Sequence, residues 1–293
     1  MATGYALTHS FKQPTERRLM MRTKLSHSLP RFAGVVVAAF ALGACATNEQ
    51  LISGPEPTNI VESDRNSHMQ LATAARAGGD YATAIRLLRR TVDSHPLDVE
   101  PLIELGDTLH EARAYDKAIE AFERARFLAP KNQLAHSGLG RANLGLRQPY
   151  DALKHFDEAL RIAPQDLVSM NGRAVALDMV GRHDEAQDTY RQALDLQPRN
   201  HLVQNNLALS LLLTDRYGEA VEILERLSFA PDATPQMRQN LALAYGLMGD
   251  MEVAAQVARM DLDPGMVENN LRFYQVIRAH SNPQLRSAPL VSR

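Results

Sequence analysis

His110 and Glu111 stand side by side in the stretch LHEARAYD, and a zinc-protease helix carries the same pair. Such a helix places a second histidine one turn on, so that two imidazoles grip the metal beside the carboxylate. Here that place holds Ala114, and the grip is missing. The stretch GLGRANLG, residues 138–145, offers Gly138 and Gly140 as the start of a phosphate loop. The dinucleotide fingerprint needs a third glycine where Asn143 stands, and a strand ahead of it. No Walker sequence, serine elbow or cysteine cluster occurs in the chain. The ten histidines scatter: His68 and His136 share one place in a repeat, and His183 falls in a turn. They read as residues of solvated helix faces. The expectation is a protein that is not an enzyme and needs no cofactor or metal.

One residue is left with chemistry to do. Cys45 is the only cysteine among 293 residues, so it cannot staple its own chain. It directly follows FAGVVVAAFALGA, residues 32–44, which carries no charge. That run is too short to cross a bilayer, which takes about 20 apolar residues. Arg22, Lys24 and Arg31 precede it and small residues end it, the layout of a secretory signal peptide over 1–44. Leu42-Gly43-Ala44-Cys45 resembles the bacterial lipobox. The resemblance implies cleavage before Cys45, a diacylglycerol on its thiol and an acyl chain on its new amine, and several chains together anchor stably. Ala46 is not the aspartate that retains some lipoproteins at the inner membrane, so the outer membrane is the expected home. Met20 or Met21 would give a signal of more usual length. Residues 46–64 are polar, with Pro and Gly, and read as a tether behind the lipidated Cys45.

The elements that remain must build a body from few aromatics. Phe, Tyr and Trp make up 5% of the chain, with no Trp at all, against 45% apolar residues overall. Abundant Ala and Leu favour helices packed on small residues. Residues 1–44 carry a net +5, which leaves −7 for the rest when the whole chain is −2. A mildly acidic body has no basic stripe, which disfavours nucleic acid as a partner.

A period of 34 residues organises that body. Pro96, Pro130, Pro164 and Pro198 keep it, as do Ala84, Ala118, Ala152, Ala186, Ala220 and Ala254. A third place is always small: Ala72, Gly106, Gly140, Ala174, Ala208 and Ala242. Between Gly106 and Pro130 the sequence reads as two helical stretches broken near 113–115. Two antiparallel helices cross closely only over small side chains, here Gly106 against Ala118, and a larger residue would overpack the crossing by roughly 1–3 kcal/mol. Proline lacks an N–H and turns the chain into the next unit. A fixed period of this length marks stacked helical pairs, which need about three or more copies to be stable.

Period, beats and small places resemble the tetratricopeptide repeat (TPR) over residues 65–262. The six units begin near Arg65, Val99, Gln133, Leu167, His201 and Pro235. The fold class expected is therefore all-α, a right-handed TPR solenoid of about six helix-turn-helix repeats. Unit six has no closing proline in step, so its second helix should be short. Residues 263–280 read as an amphipathic helix capping the last unit, and 281–293, with Pro283 and Pro289, as a disordered tail. Gly249 falls in an inter-helix turn, where a side chain should be tolerated.

In such an array the first helix of each unit lines the concave face, which makes the extra apolar residues there candidates for a partner site. They are Leu209, Leu212 and Leu213, with Val175 and Met179 before them and Leu243 and Leu247 after. A row of amides runs alongside: Asn171, Asn205, Asn206, Gln239 and Asn240. An amide donates and accepts, so a row can pair with the backbone of an extended peptide. The same amides can instead bond neighbouring repeats.

The stretches NGRAVALDMVGRHDEAQDTYRQAL, TPQMRQNLALAYGLMGD and NNLRFYQVIRA are similar to the TadD-type lipoproteins of the tight-adherence (Tad) pilus system. This resemblance implies an outer-membrane lipoprotein facing the periplasm that helps assemble the Flp pilus machine. The implied partner is the secretin, the ring through which the pilus leaves. A general periplasmic scaffold lipoprotein shares every other feature above.

Overall fold

The computed structural model describes residues 57–281, and Cys45, the signal segment and the residues beyond 281 lie outside the described part. Every described element is a helix. They run α1 (Pro57–Ala77), α2 (Tyr81–Ser94), α3 (Val99–Glu111), α4 (Tyr115–Leu128), α5 (Gln133–Gly145), α6 (Pro149–Ile162) and α7 (Leu167–Met179). Then come α8 (His183–Leu196), α9 (His201–Leu213), α10 (Tyr217–Ser228), α11 (Pro235–Met248), α12 (Met251–Ala258) and α13 (Pro264–Ser281). Five first helices start at the residues the period marks, from Val99 to Pro235. The first unit differs: α1 begins at Pro57, eight residues ahead of Arg65 and inside the stretch read as tether.

Local chemistry fixes these boundaries. Asp98, Asn132, Asp166, Asn200 and Thr234, again 34 apart, each accept a hydrogen bond from a backbone N–H in the first turn of α3, α5, α7, α9 and α11. Such caps satisfy donors the helix leaves orphaned, worth about 1 kcal/mol each. The turn inside each unit needs a left-handed residue at one place, and Gly79, Arg113, Arg147, Gly181, Asp215 and Gly249 all have positive φ there. At +113° with an Arg278 side chain beside it, Gly249 is a position where a side chain is strained, not tolerated.

Burial keeps the same period. Leu88, Phe122, Phe156, Tyr190, Leu224 and Ala258 come from successive second helices and are all buried. The small places are cut to fit these side chains. A Cβ on Gly106 would lie 2.5 Å from the Phe122 ring, and one on Gly138 of the next unit would also strike it. Phe156 sits in the same way between Gly140 and Gly172. The glycines therefore make room for an aromatic ring, more than for the approach of Ala118 expected from the sequence. One repeat on, the place of Gly138 and Gly172 is taken by Asn206, and then by Asn240, in step with Tyr190 and Leu224 replacing phenylalanine.

First helices touch one another from unit to unit: α3 on α5, α5 on α7, α7 on α9 and α9 on α11. Second helices do so at most marginally. The stack is tighter along its first helices, which makes their free face the inner, concave one. α12 is short, with eight residues, and α13 packs on α11 and α12 as the end cap. Val267 and Tyr274 are its buried residues, and Tyr274 fills the space left by Gly246.

Candidate functional site

The second residue of each first helix faces the inner side. In units two to six these are Glu100, Leu134, Val168, Leu202 and Gln236, at the constant spacing of 34. The three apolar members are 55%, 54% and 44% exposed, although each is large enough to be worth burying. Beside Val168 and Leu202 opens a pocket of about 150 Å³ across α5, α7 and α9, lined by Arg141, Leu144, Leu167, Val168, Asn171, Gly172, Val175, Asn200, Leu202 and Val203. At its rim Arg141 donates to Asp107 at 2.5 Å, and its guanidinium carbon lies 6.0 Å from the centre of the Phe122 ring. The arrangement is an apolar column one residue wide and three units long, ended by Glu100 and Gln236.

The amide row proves to be a ladder between repeats. Asn206 Nδ2 donates to Asn171 Oδ1 at 2.9 Å, and Asn240 Nδ2 to Asn205 Oδ1 at 2.8 Å. All four side chains are buried. Gln239 is half-buried and donates to Asp261 at 3.4 Å. Units one to three are joined along the same inner line by ion pairs instead: Arg65 with Asp98 and Glu100, Arg76 with Glu104, and Arg141 with Asp107. The inner seam thus changes from ionic to amide chemistry along the array.

The leucines expected in the groove divide. Leu213 is 59% exposed and Met179 is 37%, while Leu209, Val175 and Leu243 are half-buried. Leu212 and Leu247 belong to the core cluster that runs from unit three to α13. A helical residue near the end of α9 or α11 turns toward the next element, and sequence alone gave no way to separate Leu212 from Leu213. Leu134, Val168 and Leu202 carry a signal in the sequence, a fixed spacing of 34 at an apolar place that the buried beats do not use, whereas nothing in the sequence marks Arg141.

Two polar clusters bear on the histidines. Asp178 Oδ1 accepts from His183 Nδ1 at 2.9 Å and from Ser210 Oγ at 2.7 Å, while Oδ2 accepts from Tyr190 at 3.2 Å. Burial raises the Asp178 pKa, and these donors work against that shift. Serine and histidine here both bond the carboxylate and not each other, so no relay activates Ser210. His136 is not on a solvated face: it is buried, its Nε2 3.0 Å from the Pro130 carbonyl and its Nδ1 without a partner. Packing behind the proline turn took it inside. Among the described residues no group of three or more His, Cys, Asp or Glu is placed to hold a metal, and no helix is long and apolar enough to cross a membrane.

Comparison with known proteins agrees with this geometry. One profile described as tetratricopeptide repeat matches residues 69–132 and 172–237, and a second of the same description matches 133–199. Together they run without a gap over more than half the chain. No curated protein matches it. Among solved structures, TTC0263, a thermophilic TPR protein of Thermus thermophilus, is 21% identical with a TM-score of 0.55, over 61% of this chain and 98% of that one. A tetratricopeptide repeat protein from Parabacteroides merdae ATCC 43184 is 17% identical with a TM-score of 0.60, over 75% of this chain and 86% of that one. Such identities bear on the fold alone. With helical pairs, 34-residue period and repeat profiles in agreement, the chain belongs to the tetratricopeptide repeat family.

Proposed function

We propose that this protein is a lipid-anchored TPR scaffold on the periplasmic side of the outer membrane, where it holds a segment of a secretin during assembly of a Flp pilus machine. Tetratricopeptide arrays serve as protein-interaction scaffolds through their inner surfaces. The observation that carries the reading is the exposed column Leu134–Val168–Leu202 with the pocket beside Val168 and Leu202, an apolar strip crossing three units of the kind that marks a partner site. Supporting the location are the lipobox at Leu42–Cys45 and the charged, then apolar, segment before it. The similarity of the units from Leu167 onward to TadD-type lipoproteins supports the pilus system. No nucleic acid, metal or cofactor enters the reading.

The test is fractionation joined to co-purification. Wild-type protein should be cleaved before Cys45, partition with outer membranes and bring a secretin with it from detergent extracts. Cys45→Ser should block processing. Uncleaved wild-type protein in the cytosol, or co-purification with other envelope proteins but never a secretin, would refute the assignment.

A further inference from the structure

The body is acidic as a whole, but its charge is unevenly spread along the second helices. On α6 and α8 the cations Lys154, Arg161 and Arg191 each hold a carboxylate three residues away, at 2.8, 2.5 and 2.9 Å. The outer side of α2 is different. Arg86, Arg89 and Arg90 are spaced to share one face of that helix, and all three are exposed. None of them holds an ion pair among the described residues, and α2 has only one carboxylate, Asp93.

The two most exposed large apolar side chains among the described residues stand beside this face, Leu97 at 78% and Phe127 at 84%. Pro96, next to Leu97, lines an open cleft together with Arg124, Arg126, Phe127 and Leu128, so the end of α2 adjoins the end of α4. In that cleft Arg126 is neutralised by Glu123, while Arg124 holds no ion pair. Arg90 and Arg124 occupy the same repeat place on neighbouring second helices, and Phe127 lies one turn beyond Arg124. Cations without counter-ions next to bare apolar side chains match a layer of anionic headgroups over hydrocarbon.

Chain length points to the same surface. This step rests on the lipid anchor at Cys45 proposed above. Only 11 residues, 46–56, join that cysteine to Pro57 at the start of α1. Fully extended they reach about 40 Å, so units one and two are the part of the array held near the leaflet. We propose that the outer face of units one and two is a membrane-docking surface. Arg86, Arg89 and Arg90 meet anionic phospholipid headgroups there, and Leu97 and Phe127 enter the interface. The second helices lie away from the groove, so docking leaves Val168 and Leu202 open to a partner.

The test uses the processed lipoprotein in vesicles, with a polarity-sensitive fluorophore attached after Leu97→Cys, since the Cys45 thiol is taken by lipid. The control label follows Asp195→Cys on α8, an exposed position at the same repeat place as Phe127. In vesicles of phosphatidylethanolamine and phosphatidylglycerol, lipids brominated high on their acyl chains should quench the first label and not the second. Each arginine near an anionic leaflet favours the docked state about fivefold. Replacing Arg86, Arg89 and Arg90 together by Gln should therefore abolish the quenching, with circular dichroism unchanged. Salt at about 1 M should do the same, because it cuts the screening length to about 3 Å. An unquenched first label on protein that floats with the vesicles, equal quenching of both labels, or the same quenching in pure phosphatidylcholine overturns the inference. Protein that floats with no vesicle has no anchor, and the reading beneath the inference fails with it.

Discussion

Asn206 donates through Nδ2 to Asn171 Oδ1 at 2.9 Å, and both side chains are buried where α9 meets α7. The pair has its own counterpart one unit on, Asn240 to Asn205, so the last units are joined by a repeating polar contact rather than by apolar packing alone. Buried polar groups stay satisfied only in one register, which suits a junction that has to stack one way.

Removing the second member should therefore cost much less than removing the first. Asn206→Ala leaves the Asn171 oxygen buried without its donor, and should lower unfolding free energy by about 1–3 kcal/mol. Adding Asn171→Ala should cost much less than it does alone, since the partner is gone. Urea denaturation of the two single variants and the double variant measures the coupling. Strict additivity would mean the bond contributes nothing at this junction.

Three glycines separate sterics from backbone strain. Gly140→Ala pushes a methyl to 2.7 Å from the Phe156 ring and should destabilise by about 1–3 kcal/mol. Gly181 has open space but a φ of +81°, so Gly181→Ala should cost roughly 1 kcal/mol through the backbone alone. Gly218 lies in α10 with neither obstacle, and Gly218→Ala should be neutral or stabilising by up to about 1 kcal/mol. Thermal melts followed by circular dichroism rank the three. Equal losses would contradict this placement of the repeats.

Much of the fold was legible because a repeat states each rule several times. Pro96 to Pro198 and the alanines from Ala84 to Ala254 gave the units, and first helices from α3 to α11 begin where that period puts them. What failed to read was contact between units. Gly138 and Asn206 hold the same repeat place, yet one makes room for Phe122 and the other bonds Asn171. Only the neighbouring helix decides which. The same limit explains Leu212, buried against the next unit, and His136, enclosed behind the turn at Pro130. The start of α1 at Pro57 was missed because its first turns lie in a polar stretch without the repeat pattern. The exposed column was in the sequence, at a spacing of 34, but its exposure was not.

Acid should loosen the second unit through His110. Burial first, and then the positive charge of Arg141, bring its pKa down to about 4, with Asp107 working weakly the other way. The ring packs 5.4 Å from that of Tyr115. Once unfolded it takes a proton near 6.5, which the folded ring resists. Its contribution to stability is thus whole above about pH 6.5 and is lost as pH falls toward 4. Asp178 runs the opposite way, its raised pKa favouring the fold at low pH and losing that effect as pH rises. His110→Gln should flatten the fall in melting temperature between neutral pH and about 4. An unchanged profile would mean that other groups carry the acid sensitivity.

The most direct test of the groove as the working surface is site-specific photocrosslinking in intact cells. A photoreactive residue replaces Val168 or Leu202 on the inner face, or Tyr150 on the exposed side of α6 as the control. The account expects a crosslink to a secretin from the inner positions, abolished when Leu134 is changed to Ser in the same chain, and none from Tyr150. A secretin crosslink from Tyr150 with nothing from Val168 or Leu202 would contradict it.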